Sequence, residues 1–192
     1  FPSRAQQENP GPLAGPPSQP RLRLAAGAPA DPGRLVFIYS VGRCGSTLVS
    51  NAFGALPGVE SLSEPDVFTQ LRDHWIAGGL EGKDKEKLLR SCVTLQCAPG
   101  RARGATAWAF KFRSNVMDMA PLLHAAAPGA RVVFLYRNAV PWARSFLRFM
   151  GVRDEATASA RLDFLARRWL AAMELALDLR RRGVGMFVAR YE

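Results

Sequence analysis

Apolar positions along the chain fall into short runs separated by amphipathic stretches. LVFIYS at 35–40 is an unbroken apolar and aromatic run, the pattern of a strand buried on both faces. After it, Leu48, Val49, Ala52, Phe53 and Leu56 recur at helical spacing. A turn at Pro57-Gly58 leads into a brief strand over 59–63, and a helix is expected over 66–77. Residues 78–105 are polar and Gly-rich, with a short helix around 85–95. Residues 105–113 alternate as a strand does, 116–127 read as a helix stopped by Pro128-Gly129, and RVVFLY at 131–136 is the clearest buried strand. A helix starts near Pro141, since Pro fits a first helical turn. A long amphipathic helix over 161–182 carries Leu162, Leu165, Trp169, Met173, Ala176 and Leu179 on one side, and 184–191 is a last strand. Strands alternating with helices predict a parallel α/β sheet flanked by helices. The last strand has nothing after it to cover it, so the domain is expected to be incomplete at its C-terminus.

Composition divides the chain in two. Eight of the 14 prolines lie in residues 1–33, which have one aromatic residue and no apolar period. That segment reads as an extended linker or stem, and residues 34–192 as the folded domain. The chain carries 26 Lys+Arg against 16 Asp+Glu, a net charge of +10. The Pro-rich lead holds three Arg and two acids, so +9 belongs to the domain. An apolar fraction of 48% excludes a wholly disordered chain, and three Cys exclude a disulfide-dense mini-protein. No apolar run approaches the roughly 20 residues that span a bilayer. A basic excess suits an anionic partner, whether nucleic acid, membrane surface or phosphorylated small molecule. It also suits plain compositional bias, because 22 of the 26 basic residues are Arg.

The loop between the first strand and helix, SVGRCGST at 40–47, has the order of a phosphate-binding turn. A helix N-terminus presents unpaired N–H groups and partial positive charge to an anion. Gly42 and Gly45 allow close backbone approach, and Ser46 and Thr47 add hydroxyls. The triphosphate-binding form GxxxxGK[ST] requires a Lys where Ser46 stands, and Ser40 replaces its first Gly. The cation has moved to Arg43. Such a loop suits one phosphate with a small leaving group; its bland alternative is a Gly-rich turn before an ordinary helix. Downstream, Arg137 follows the strand 131–136, at the carboxyl end where open α/β sheets bind ligands. Ser145 lies two helical turns on. Together they form a second candidate anion site, a forked guanidinium supplemented by a hydroxyl.

These two motifs, in this order, resemble those of sulfotransferases that use 3′-phosphoadenosine 5′-phosphosulfate (PAPS). The family's GxxRSGST-like loop binds the 5′-phosphosulfate, and Arg43, Cys44, Gly45, Ser46 and Thr47 match it, with Cys44 in place of Ser. Its RDPxxVxxS-like segment binds the 3′-phosphate, and Arg137 and Ser145 match the two binding residues. Asn138 and Ala139 replace its Asp-Pro, and the Val is displaced. VARYE at the end is similar to the family's VRYEDL strand. The resemblance covers residues 35–192 and implies a P-loop NTPase-like sheet. It is closer to Golgi carbohydrate and tyrosylprotein sulfotransferases, which carry a Glu, often Glu-Pro, about 20 residues after the loop. Glu64-Pro65 matches that position. The KTHL-like strand with a catalytic His, found in cytosolic members, is replaced here by Lys111-Phe112-Arg113-Ser114.

The resemblance implies Glu64 as general base and Arg43 with the loop amides as stabilisers of the departing phosphate. Lys111 then assists the bridging oxygen or binds an anionic acceptor. Glu64 also reads as an N-cap neighbour or ion-pair partner, and Lys111 as an ordinary exposed lysine. His74 and His124 read as helix-face and helix-end residues. No metal is required, and no His/Cys/Asp cluster has ligand spacing. The acceptor is a hydroxyl on a carbohydrate, a protein Tyr or a small alcohol. No nucleic-acid partner is expected: Arg180-Arg181-Arg182 reads as a solvated helix end favoured by the helix dipole. The Pro-rich start looks like the stem of a Golgi membrane enzyme with its anchor further upstream; a bacterial cytoplasmic homologue is the rival. Cys92 and Cys97 pair in a lumenal setting or stay as buried thiols elsewhere. Two other functions compete, a P-loop nucleotide or nucleoside kinase and a non-catalytic nucleotide-binding module.

Overall fold

The computed structural model describes residues 34–76 and 83–192. The Pro-rich lead at 1–33 and the junction at 77–82 lie outside the described residues. Five strands, β1 (Leu35–Ser40), β2 (Val59–Ser63), β3 (Ala107–Lys111), β4 (Arg131–Tyr136) and β5 (Met186–Arg190), form one sheet. Its order is β2-β3-β1-β4-β5, and every pairing is parallel. The helices are α1 (Ser46–Gly54), α2 (Asp66–Ile76), α3 (Lys83–Ala102), α4 (Ala120–Ala126), α5 (Ala139–Phe149) and α6 (Glu155–Arg181), with a 3₁₀ turn at Val116–Met119 before α4. The chain is thus α/β, an all-parallel sheet flanked by helices.

Parallel strands need crossover connections, and these are right-handed. From β1 the chain crosses to β2, and from β4 it crosses the opposite way to β5. The two connections part around the carboxyl ends of β1 and β4, which leaves a crevice there. Aromatic packing holds one face of the sheet. Phe37 meets Phe110, Phe112 and His124 of α4 edge-on, Phe68 of α2 meets Phe110 and Phe112 edge-on, and Phe110 stacks on Phe112, at centroid separations of 5.2–6.1 Å. Fully burying each such ring contributes roughly 1.5–3 kcal/mol. On the other face α1 is tied to β2 by the Ser50–Ser61 hydroxyl pair at 2.9 Å. The imidazole of His124 is depressed by desolvation, as its helix-end reading allows, while His74 is exposed in the last turn of α2.

Three expectations need correction. The third helix runs over 83–102 and not 85–95, passing through Pro99-Gly100. A Cβ on Gly100 would stand 2.9 Å from Trp108 Nε1 and 3.0 Å from Glu60 Cγ, so glycine lets the helix lie close against β2 and β3. The last helix begins at Glu155, capped by Asp154, whose carboxylate accepts the Thr157 N–H at 2.7 Å. Leu162 does not share the buried side of that helix: it is 49% exposed, whereas Leu165 and Leu179 are buried. The fifth strand is an edge strand, with Phe187 67% exposed. Cys92 and Cys97 are separate buried thiols. Five residues apart on one helix, they point roughly 140° apart. No helix among the described residues is long and apolar enough to cross a membrane.

Candidate functional site

At the carboxyl ends of β1, β3 and β4 lies a cavity of about 770 Å³. Arg43, Cys44, Gly45, Ser46, Thr47, Glu64, Lys111, Arg137 and Ser145 all line it. Segments more than a hundred residues apart meet here, from Ser40 to Ser145 and Tyr191, because β3, β1 and β4 are neighbours and end together.

The 40–47 loop turns sharply between β1 and α1. Gly42 (φ 81°), Arg43 (φ 53°) and Gly45 (φ 76°) all take left-handed backbone, where only glycine is free of Cβ strain. Gly45 is also the N-cap of α1 and, having no side chain, supplies no side-chain cap to the first turn. Trp142 of α5 braces the loop, its buried Nε1 donating to the carbonyls of Val41 and Gly42, both at 3.1 Å. Cys44 does not offer its thiol to the cavity. The Sγ turns inward and donates to the Leu135 carbonyl at 3.4 Å, and burial pushes the thiol pKa up. Its part at the cavity wall is therefore that of backbone. Arg43 is exposed and lies 5.1 Å from the Phe149 ring centroid.

Tyr191, just past β5, lies against Gly45. A Cβ there would meet the ring at 2.8 Å. Gly183 has a similar φ of 79° with nothing within 4 Å of its Cβ position. Both Gly→Ala variants carry the left-handed penalty, about 1 kcal/mol or more. Gly45→Ala alone adds the clash, so urea denaturation is expected to rank it below Gly183→Ala in stability. Equal losses would mean that Tyr191 does not press on the loop.

Arg137 leaves β4 half-buried. Its Nε is buried with no hydrogen-bond partner, and its guanidinium lies 5.5 Å from the Tyr191 ring centroid. An unpaired donor at a cavity wall is costly unless an acceptor meets it. The Arg137 carbonyl accepts from Trp169 Nε1 of α6 at 2.9 Å, which fixes the backbone from which this guanidinium projects. Ser145 is half-buried on α5.

Across the loop stands an ion-pair cluster. Lys111 is only 5% exposed, so it is no ordinary surface lysine, and its Nζ donates to Glu64 Oε1. Arg113 Nε donates to Glu64 Oε2 at 3.2 Å, and its NH2 pairs with Asp66 at 2.9 Å. Partial burial pushes the Glu64 carboxyl up, but the hydrogen bonds and charges of Lys111 and then Arg113 outweigh it, and its pKa lies below the usual carboxylate value. Glu64 is thus an ion-pair partner of Lys111 and Arg113, as one reading of its sequence expected. It also holds left-handed backbone at φ 53°, before Pro65 and with its N–H on the Lys111 carbonyl at 2.6 Å. A non-glycine residue there costs about 1–3 kcal/mol, and such strain collects at functional sites.

Several lining residues were not read from the sequence: Arg113, Ser114, Asn115, Phe146, Phe149 and Tyr191. Ser114 accepts from Arg168 NH2 at 2.8 Å, and desolvation holds that guanidinium's pKa down. The one available signal was position, since residues 112–115 directly follow a strand that ends beside the loop. Among the described residues no three His, Cys, Asp or Glu side chains gather as a metal site would require. The chain matches no known family model and no curated protein.

Proposed function

We propose that this chain is a sulfotransferase that moves a sulfuryl group from PAPS to a hydroxyl, most suitably on a carbohydrate. The observation that carries this reading is one cavity lined by both candidate anion motifs and a carboxylate–lysine pair. The loop with its uncapped helix would take the 5′-phosphosulfate. Arg137, with its unpaired Nε, and Ser145 would take the 3′-phosphate.

The reaction is an in-line displacement. The acceptor oxygen bonds to sulfur as the bond from sulfur to the 5′-phosphate oxygen breaks. Glu64 accepts the hydroxyl proton as general base, and adenosine 3′,5′-bisphosphate leaves. Arg43 and the loop amides stabilise charge growing on the departing phosphate. Lys111 has a double part. Its ion pair keeps Glu64 ionised but weakly basic. The bridging oxygen of the donor competes for the same ammonium, and Glu64 gains basicity as that pair opens.

Ser46 in place of the triphosphate-binding lysine argues against a kinase. A transfer assay with ³⁵S-labelled PAPS and γ-³²P-labelled ATP separates the two. Label is expected to pass to acceptor only from PAPS; transfer from ATP alone would replace this reading with the kinase. Trp169→Phe keeps the ring and removes the N–H that holds Arg137. It is expected to reduce the preference for adenosine 3′,5′-bisphosphate over adenosine 5′-phosphate severalfold, as read by calorimetry. An unchanged preference would mean that Arg137 holds its position without Trp169.

A further inference from the structure

Arg168 of α6 carries a charge that its own surroundings do not call for. It is half-buried, and among the described residues it pairs with no carboxylate. Asp118 acts on it through space, but that carboxylate is engaged by Arg72, through Nε at 3.0 Å and Nη2 at 2.5 Å. Burying such a guanidinium costs free energy that a neutral side chain would not. What Arg168 does hold is a part of the cavity wall. Its Nη2 donates to Ser114 Oγ at 2.8 Å, and its guanidinium carbon lies 5.6 Å from the Phe146 ring centroid. Ser114 and Phe146 both line the main cavity, and both flank the 40–47 loop. A Cβ on Gly42 would stand 3.3 Å from Ser114 Oγ and 4.0 Å from Phe146 Cε2. Through these two side chains α6 supports the start of the loop, as Tyr191 supports it at Gly45.

Ser114 also stands between two cavities. It lines the main one and a smaller one of about 110 Å³, whose wall includes Val41, Asn115, Asp118 and Arg168. Arg168 lines the smaller cavity and not the main one, so it reaches Ser114 from the rear. A guanidinium can only donate, whereas a hydroxyl has one proton and two lone pairs. Arg168 therefore occupies a lone pair of Ser114 and leaves its proton for an acceptor. A charged donor polarises the hydroxyl it meets and strengthens the next hydrogen bond in the chain. On the main-cavity side, the surface beside Ser114 is the loop at Gly42. An anion seated on that loop brings oxygens to this hydroxyl.

We infer that Ser114 is a hydroxyl donor to the 5′-phosphate of a nucleotide seated on the 40–47 loop, and that Arg168 is the residue that positions and polarises it. The serine keeps its proton throughout. This rests on the reading of the loop as the seat of the 5′ anion and adds to it a contact from the segment after β3. The probes are adenosine 3′,5′-bisphosphate and adenosine 3′-phosphate, which differ by the 5′-phosphate alone. Both are titrated calorimetrically into the whole chain. Wild type is expected to prefer the bisphosphate, and Ser114→Ala to cut that preference about tenfold, the loss of one hydrogen bond to a charged group. Arg168→Met should cut it by a similar factor, and Arg168→Lys by less. The double variant should lose no more than Ser114→Ala, because Arg168 acts through the serine and the two losses are not additive. Adenosine 3′-phosphate should bind all four variants as it binds wild type, which also shows that the site is folded. An unchanged preference in Ser114→Ala overturns the donor. So does an equal loss of both nucleotides, which would make the pair a support of the fold. If Arg168→Met costs the same factor in the Ser114→Ala background, Arg168 shapes the loop without acting through Ser114, and the relay is overturned. Wild-type protein with no preference for the bisphosphate removes the loop from the 5′ anion altogether, and the donor with it.

Discussion

Arg137→Ala is expected to weaken adenosine 3′,5′-bisphosphate by roughly tenfold to a hundredfold and adenosine 5′-phosphate hardly at all. The estimate is that of one charge-assisted contact, about 1.5–3 kcal/mol. The guanidinium is well prepared for this. Its Nε is buried without a partner, its main chain is held by Trp169, and Tyr191 lies against it. A 3′-phosphate would satisfy the orphaned donor, and the variant would remove donor and ligand contact together. Calorimetry with the two nucleotides checks the difference. Equal losses would assign Arg137 to the shape of the cavity and not to a 3′-phosphate.

Glu64→Gln is expected to lower transfer by about 10²–10⁴-fold, the usual range for losing a general base. Binding of the bisphosphate should stay close to wild type, because Gln keeps the shape and an acceptor for Lys111. The pH dependence follows from the depressed pKa. Glu64 is held below the ordinary carboxylate range by Lys111 and Arg113 against the opposing effect of burial. The acidic limb of kcat/KM should therefore fall below that range and vanish in the Gln variant. The ion pairs also favour the folded state above the unfolded-state pKa, and that contribution is lost as pH falls through the folded-state value. The carboxylate's partial exposure keeps it small. Transfer persisting at the wild-type rate would move the base elsewhere in the cavity.

The strands were legible because β-branched and aromatic runs at 35–40 and 131–136 have few other uses. The two motifs that meet at the cavity, at 40–47 and 137–145, were legible because their spacing is local. Other features depended on partners far away in sequence. Pro99-Gly100 signals a helix stop, yet the helix continues, since Gly100 is selected by contact with Trp108 and Glu60 across the domain. Asp154 with Thr157 was a readable N-cap, and it places the start of α6 six residues before the expected start at 161. Trp142 and Trp169 look like core residues, and their rings do pack. Their second use, holding the carbonyls of Gly42 and Arg137, lies in single N–H groups whose partners are 100 and 32 residues distant. Arg113 was hidden likewise, because its meaning comes from the strained turn at Glu64 beside it.

The most direct test is calorimetric titration of the chain with adenosine 3′,5′-bisphosphate, with ATP and Mg²⁺ as the comparison. One saturable site for the bisphosphate is expected, weakened by Arg137→Ala, with ATP much weaker for want of a lysine at position 46. No heat from the bisphosphate, or tighter binding of ATP, would contradict the assignment of this cavity.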